Sequence, residues 1–229
     1  MPITYNANIP ISVSRIKELT DNVLSLYFKR PMGFNYEAGD WIDLGSATAE
    51  LKGGKTYSLA SAPTERDLSI IFRKGISPFK QHLENLKTGD ELIITQFGND
   101  YGFHIKENRS SVLIAGGIGI APFRSMLKEM VDLSSTNTVE IIYFNKGQNY
   151  LLESELEKWK SLINLKVTYI NTTLIKRKDR DRILSAAVKK GADHYFIAGP
   201  EEMVENTEHS LIALGVRTKD IRIDSFGGY

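Results

Sequence analysis

The sequence predicts two folds in succession: an N-terminal antiparallel β-barrel, then a doubly wound α/β domain built on a parallel sheet. Three observations lead there. Short runs of strand-forming residues follow one another closely over roughly the first hundred positions, with little helix between them. Beyond that, strand-like and helix-like segments alternate, as βαβ units do. Between the two patterns lies Ser111–Met130, SVLIAGGIGIAPFRSMLKEM, which reads as strand, glycine turn and helix. The expected domains are 1–105 and 106–229.

In the first part, Ile9–Ile16 alternates loosely and Val23–Phe28 is rich in strand formers. Arg30-Pro31-Met32-Gly33 is a break, and Glu37–Asp40 turns into the strand-like Trp41–Leu44. Leu51–Lys55, with Gly53 and Gly54, reads as a loop, and Thr56–Ala60 and Leu68–Arg73 as strands. Ser77–Leu86 carries Phe79, Leu83 and Leu86 at helical spacing, and Glu91–Thr95 closes the series. Polar Gln96–Asn108 is the expected linker.

In the second part, Val112–Ala115 is an apolar run of the kind a buried parallel strand requires. Helix Ala121–Leu133, strand Val139–Phe144, helix Leu151–Leu162 and strand Leu165–Ile170 are expected next. Helix Asp181–Lys190, strand His194–Ala198, helix Pro200–Leu214 and strand Ile221–Ile223 complete the pattern. Ligands of such sheets lie beyond the carboxyl ends of the strands. The turns there are Gly116–Ala121, Asn145–Tyr150, Asn171–Arg177 and Gly199–Met203.

Composition removes several function classes. With 41% hydrophobic and 25% charged residues, 229 positions suffice to bury a core. Twenty-nine basic against 28 acidic residues give a net charge of +1, so no global field draws nucleic acid or an acidic membrane. The absence of cysteine excludes disulfides, thiolate metal sites and thiol nucleophiles. His82, His104, His194 and His209 lack ligand-like spacing, and no metal is expected. The first ten residues lack a basic region followed by an apolar run, and the longest apolar stretch is broken by glycine. A cytoplasmic protein without membrane insertion is therefore expected.

Several segments look chemical, each with a bland alternative. Gly116, Gly117 and Gly119 let a diphosphate approach the backbone where a helix begins, with Pro122 in its first turn, or they form an ordinary tight turn. The spacing is not GxGxxG. Lys55, Tyr57 and Ser58 suit a flat anionic ligand, or else form an edge strand with a solvated lysine and a core tyrosine. Arg73-Lys74-Gly75 precedes Ser77, which is a helix cap, an anion site or both. Gly199-Pro200 is a second strand-to-helix turn. The run Lys176–Arg182 is a solvated loop or receives an extra phosphate. The tail Asp224–Tyr229 frays, or swings its aromatic onto a flat ring.

Together these residues resemble the ferredoxin–NADP reductase superfamily over nearly the whole chain. Lys55-x-Tyr57-Ser58-x-x-Ser61 resembles its RxYSxxS flavin motif, and Gly75-x-Ser77 its diphosphate turn, one residue shorter than the commonest form. Gly116–Phe123 is similar to its nicotinamide-dinucleotide turn. Ala198-Gly199-Pro200 resembles CGP, and Asp224-x-Phe226-x-Gly228-Tyr229 resembles the terminal ExFxGY. The resemblance implies a flavin-binding barrel, a pyridine-nucleotide domain, and hydride transfer between nicotinamide and flavin at their junction. It implies FAD rather than FMN. By carry-over, Tyr57, Ser58 and Tyr229 meet the flavin ring, with Tyr229 as a displaceable shield. Lys55, Arg73, Gly75 and Ser77 meet the flavin's phosphates. Gly116, Gly117, Gly119 and Pro122 form the dinucleotide turn, and Gly199 and Pro200 line the nicotinamide side. Lys146 and the Lys176–Arg182 run supply cations, and no acidic residue ends the second parallel strand, which favours NADPH over NADH.

Lysine at 55 in place of arginine gives up the bidentate fork, Ala198 replaces a cysteine, and Asp224 replaces a glutamate. The expected electron acceptor is a separate protein, ferredoxin or flavodoxin; an oxygenase partner or free flavin is the alternative. An electron-transfer or nucleotide-sensing subunit without turnover of its own is the reading from another class. Lys29, Arg30, Lys52, Lys55, Arg73, Lys74 and Lys80 are candidates for a basic docking patch.

Overall fold

The computed structural model describes residues 3–46 and 55–227. The chain divides into two compact units, Met1–His104 with Arg124–Glu129, and Ile105–Phe123 with Met130–Tyr229.

The first unit is an antiparallel sheet. Its strands are β1 (Ile3–Thr20), β2 (Val23–Lys29), β3 (Trp41–Ser46), β4 (Lys55–Ser58), β5 (Asp67–Arg73) and β6 (Glu91–Asn99), in the order β4-β3-β6-β1-β2-β5. β1 is long because it serves two partners. Its first half pairs with β6 and its second half with β2, with register shifts that bend it between them. Just after β4, Leu59 bridges Ile70 of β5, so the two edges of the sheet meet and the barrel closes. Inward residues of alternating strands, among them Leu26, Phe28, Ile42, Leu44, Ile70 and Leu92, fill the core. Helix α1 (Pro78–Asn85) adds Phe79 and Leu83 to it.

β6 continues to Asn99, where the sequence analysis placed a polar linker from Gln96 onward. The Gln96–Asn99 stretch pairs with both β1 and β3. The mixed polarity arises because one face of this strand is exposed, and Gly98 is there because β1 crosses so closely. A Cβ at position 98 would lie 1.9 Å from the Ile3 carbonyl oxygen.

The second unit is a parallel sheet of β7 (Ser111–Gly116), β8 (Val139–Asn145), β9 (Leu165–Asn171), β10 (His194–Pro200) and β11 (Ile221–Phe226), ordered β11-β10-β7-β8-β9. The helices are α2 (Ile120–Asp132), α3 (Glu153–Trp159), α4 (Arg177–Lys190) and α5 (Glu201–Ala213). Val112, Ile114, Ile142, Phe144 and Ile197 share one core with Leu184 and Ala187 of α4 and Val204 and Leu211 of α5. Because the chain runs outward from β7 through β8 and β9 and then returns through β10 to β11, the order reverses between β7 and β10. The crevice at that reversal is the natural ligand position of this topology.

Two boundaries differ from expectation. α3 is shorter than Leu151–Leu162. α4 starts at Arg177, so most of the basic run forms helical turns rather than a loop. Lys176 is its N-cap, and its backbone N–H donates to Asp179 Oδ2 at 3.0 Å. Among the described residues no helix is long and apolar enough to cross a membrane.

Candidate functional site

In the first unit, the candidate residues cluster at the end of β4 and the turn from β5 into α1. β4 pairs with β3 so that Ser58 lies opposite Trp41 and Tyr57 opposite Ile42. Tyr57 is half-buried, its ring edge-on to Phe72 with centroids 6.2 Å apart. Ser58 is buried. The strand alternation expected to run through Ser61 stops at Ser58, and Leu59 to Ala62 are all buried. Leu59 N–H donates to the Asp40 carbonyl at 2.8 Å and Ala60 N–H to the Ser69 carbonyl at 2.7 Å. Burial pushes the Asp40 carboxyl above its ordinary value, although the Glu37 N–H and the Asn99 amide donate to it.

Ser61 is a structural residue. Its hydroxyl accepts from the Ser69 N–H at 2.9 Å and lies 3.0 Å from the Tyr36 hydroxyl. Its carbonyl accepts from the Tyr36 and Ser125 hydroxyls. Burial pushes the Tyr36 phenol up to about 12. Arg124 secures the same turn, donating to the Ala60 carbonyl and, through both terminal nitrogens, to the Glu65 carboxylate at 2.8 and 3.1 Å. Sixty-four positions of chain between Ala60 and Arg124 leave no spacing signal by which this clamp could be foreseen.

Ser77 caps α1, its Oγ accepting from Lys80 N–H at 3.4 Å. Gly75 N–H donates to Glu84 Oε1 at 2.8 Å. Among the described residues, neither Lys55 nor Arg73 has an ion-pair partner, though each is only partly exposed. Two half-buried cations without a carboxylate, beside a capped helix start and a part-exposed tyrosine, have the chemistry of a site for an aromatic anion. A flat ring that carries phosphate is compatible with this donor set. Two members of the expected docking patch are otherwise engaged. Arg30 donates to the Phe34 and Pro63 carbonyls, and Lys74 pairs with Glu18 at 2.8 Å. Lys52 lies outside the described residues.

In the second unit, β7 passes through a 3-10 turn at Gly117–Gly119 into α2. Pro122 is the third residue of that helix, where its missing N–H costs no bond. The glycine at 119 is required by the protein itself. A Cβ there would lie 2.1 Å from the Ala198 carbonyl oxygen, so the turn after β7 packs directly on the end of β10. Gly199 and Pro200 end that strand, in register with Ser225 and Phe226 of β11. The two turns anticipated from the sequence therefore lie side by side at the strand-order reversal. Tyr143, which the sequence analysis did not single out, fixes the first of them by donating to the Gly117 carbonyl at 2.9 Å. Tyr150 and Tyr169 join it in an aromatic group, with centroids 5.3 and 6.3 Å from Tyr143.

Lys146 is exposed in the turn after β8. That turn is tied to the end of β9 by Gly147 N–H donating to Asn171 Oδ1 at 3.1 Å. Within the basic run, Arg180 turns inward over the Phe144 ring, 5.4 Å from its centroid. Tyr229 lies outside the described residues. β11 reaches Phe226 and so includes Asp224 of the expected terminal motif. No group of three His, Asp or Glu side chains suited to a metal occurs among the described residues.

Residues 113–209 match the family model of the oxidoreductase NAD-binding domain. Over 237 aligned positions the chain is 25% identical to flavohemoprotein A of Dictyostelium discoideum, covering 94% of this chain and 59% of that protein. It is 34% identical to dual oxidase 1 of Canis lupus familiaris over 140 residues, which is 56% of this chain and 9% of the oxidase. The chain thus spans well under two thirds of both relatives. Among solved structures, a ferredoxin NADP+ reductase from Neisseria gonorrhoeae with bound FAD and NADP superimposes with a TM-score of 0.79 at 19% identity, covering 96% of this chain and 99% of that one.

Proposed function

Since the chain has the fold of the ferredoxin–NADP reductase superfamily and carries an oxidoreductase NAD-binding domain, we propose that it is an NAD(P)H-dependent flavoprotein reductase that binds FAD and hands electrons to a separate acceptor. The observation that supports this reading is the pair of cations, Lys55 and Arg73, which have no ion-pair partner among the described residues and both act on Lys80 in the first turn of α1.

When bound, the flavin accepts a hydride from reduced nicotinamide and releases electrons singly. The protein's own residues bind, orient and gate. Tyr57 packs on the ring and Ser58 offers its hydroxyl near N5. Lys55, Arg73, Gly75 and Ser77 hold the diphosphate. Gly116, Gly117, Gly119 and Pro122 present backbone to the nicotinamide nucleotide, with Gly199 and Pro200 on its nicotinamide side. Tyr229 would shield the flavin, as the terminal motif implies. Lys146 and the Lys176–Arg182 run receive a 2′-phosphate, which makes NADPH the preferred donor over NADH.

Ferredoxin or flavodoxin is the leading acceptor. An oxygenase or oxidase partner is the second reading, because the chain is similar to flavohemoprotein A and to dual oxidase 1. Anaerobic stopped-flow absorbance with NADPH and with NADH tests the central claim. A flavin band that bleaches, and does so faster with NADPH, is the expected result. No flavin uptake after incubation with FAD would leave an electron-transfer or nucleotide-sensing subunit as the better description.

A further inference from the structure

Lys80, expected from the sequence in an exposed docking patch, instead lies buried in the FAD site proposed above. It is the third residue of α1, its N–H bound by the Ser77 cap. A solvent-facing lysine is the ordinary occupant of such a position, yet Lys80 is only 9% exposed. Its side chain folds back over the turn that starts the helix. From the position a Cβ would take on Gly75, its Cδ is 3.0 Å away and its Nζ 3.6 Å. A bulkier residue at 75 would push the amine out, so Gly75 and Lys80 are fitted to one another.

The charges around it are mostly of the wrong sign. Burial, then the like charges of Lys55 and then Arg73, drive its ammonium below its ordinary pKa. Glu84 works the other way, but its carboxylate accepts the Gly75 N–H at 2.8 Å. Crowding three cations, two of them without an ion-pair partner among the described residues, is unfavourable in the empty protein. It becomes favourable when a dianion sits among them.

We propose that Lys80 is a diphosphate-binding residue of this chain, which together with Lys55 and Arg73 makes a three-cation cradle over the Gly75–Ser77 turn. The inference rests on the FAD reading and deepens it. Two point charges, Lys55 on β4 and Lys80 on α1, would then supply the two donors that one guanidinium fork offers, with one positive charge more. The cradle is selective: it recognises the phosphates and is indifferent to the flavin ring.

The test compares full-length wild type, Lys80→Met and Lys80→Gln, each freed of flavin, by fluorescence titration with FAD and with riboflavin and by thermal unfolding. Loss of one charge-assisted contact should weaken FAD binding about tenfold in both variants. Riboflavin, which has no phosphate, should bind all three proteins equally. The flavin-free variants should melt higher than flavin-free wild type, because a crowded cation has gone, while the FAD-loaded variants melt lower. Unchanged FAD affinity, or equal weakening toward riboflavin, overturns the role of Lys80 and leaves the FAD reading intact. If wild type binds neither flavin, the FAD reading fails by itself. Inorganic pyrophosphate then judges the cradle, which stands if pyrophosphate raises the melting point of wild type more than that of the variants and falls if the shifts are equal.

Discussion

Gly119 and Ser58 show two kinds of candidate residue that a motif treats alike. At Gly119 the constraint is internal, since a methyl group would collide with the Ala198 carbonyl whether or not a nucleotide is present. Gly119→Ala is therefore expected to cost about 1–3 kcal/mol of stability, read as a lower urea midpoint in nucleotide-free protein. An unchanged midpoint would return this glycine to a purely ligand-facing role. Ser58 is buried on the strand that bears Tyr57, and its hydroxyl has its proposed task only when flavin is bound. Ser58→Ala should slow single-turnover flavin reduction by about 10- to 100-fold while FAD stays bound. Wild-type rates in that variant would remove Ser58 from the mechanism. Both residues stand out in the sequence because glycine turns and hydroxyl-rich strands leave local signatures. Lys80 reads as part of an exposed docking patch, because a lysine at helical spacing looks solvated, and only folding shows that Gly75 makes room for it.

At the scale of elements, short-range pattern predicted the strands well wherever both faces are buried, as in β7. It failed where an element is defined by its neighbours. The end of β6, Gln96–Asn99, reads as a linker because polarity and Gly98 mask a strand that two partners hold. The first turn of α4 reads as a loop because it is almost all charge, and the interaction of Lys176 with Asp179 that starts it is visible only as geometry. Glu140 of β8 shows how elements are joined by charge, accepting from Lys166 of β9 at 2.6 Å and Lys190 of α4 at 2.8 Å. Burial alone would raise its pKa, but hydrogen bonds from Lys166 and Lys190 more than offset this and hold it below its ordinary 4.5. With the folded value below the unfolded one, the stabilisation is present above about pH 4.5 and is lost as pH falls through the folded value. Glu140→Gln should cost about 1 kcal/mol at pH 7, and the gap from wild type should close as pH falls through the lowered folded value. A gap that stays constant with pH would mean that packing, not charge, makes the junction.

For the whole molecule, the feature that matters is that each unit has a hydrophobic cluster of its own among the described residues, one inside the antiparallel strands and one between the parallel sheet and helices α4 and α5. Each unit can therefore respond to its own ligand, and a single unfolding transition is not guaranteed. FAD at 100 times its Kd should stabilise the first unit by about 2.7 kcal/mol. NADP+ should act on the second. Equal shifts of both units with either ligand would show that they unfold as one. The chain contains two tryptophans, and the fold assigns one to each unit: Trp41 on β3, opposite Ser58, and Trp159, buried at the end of α3. The protein thus carries a built-in pair of optical probes. With Trp159 replaced by phenylalanine, emission comes from the strand next to the proposed flavin site, where bound flavin would quench it by energy transfer. With Trp41 replaced, it comes from the nucleotide unit, so each half can be watched without any added dye.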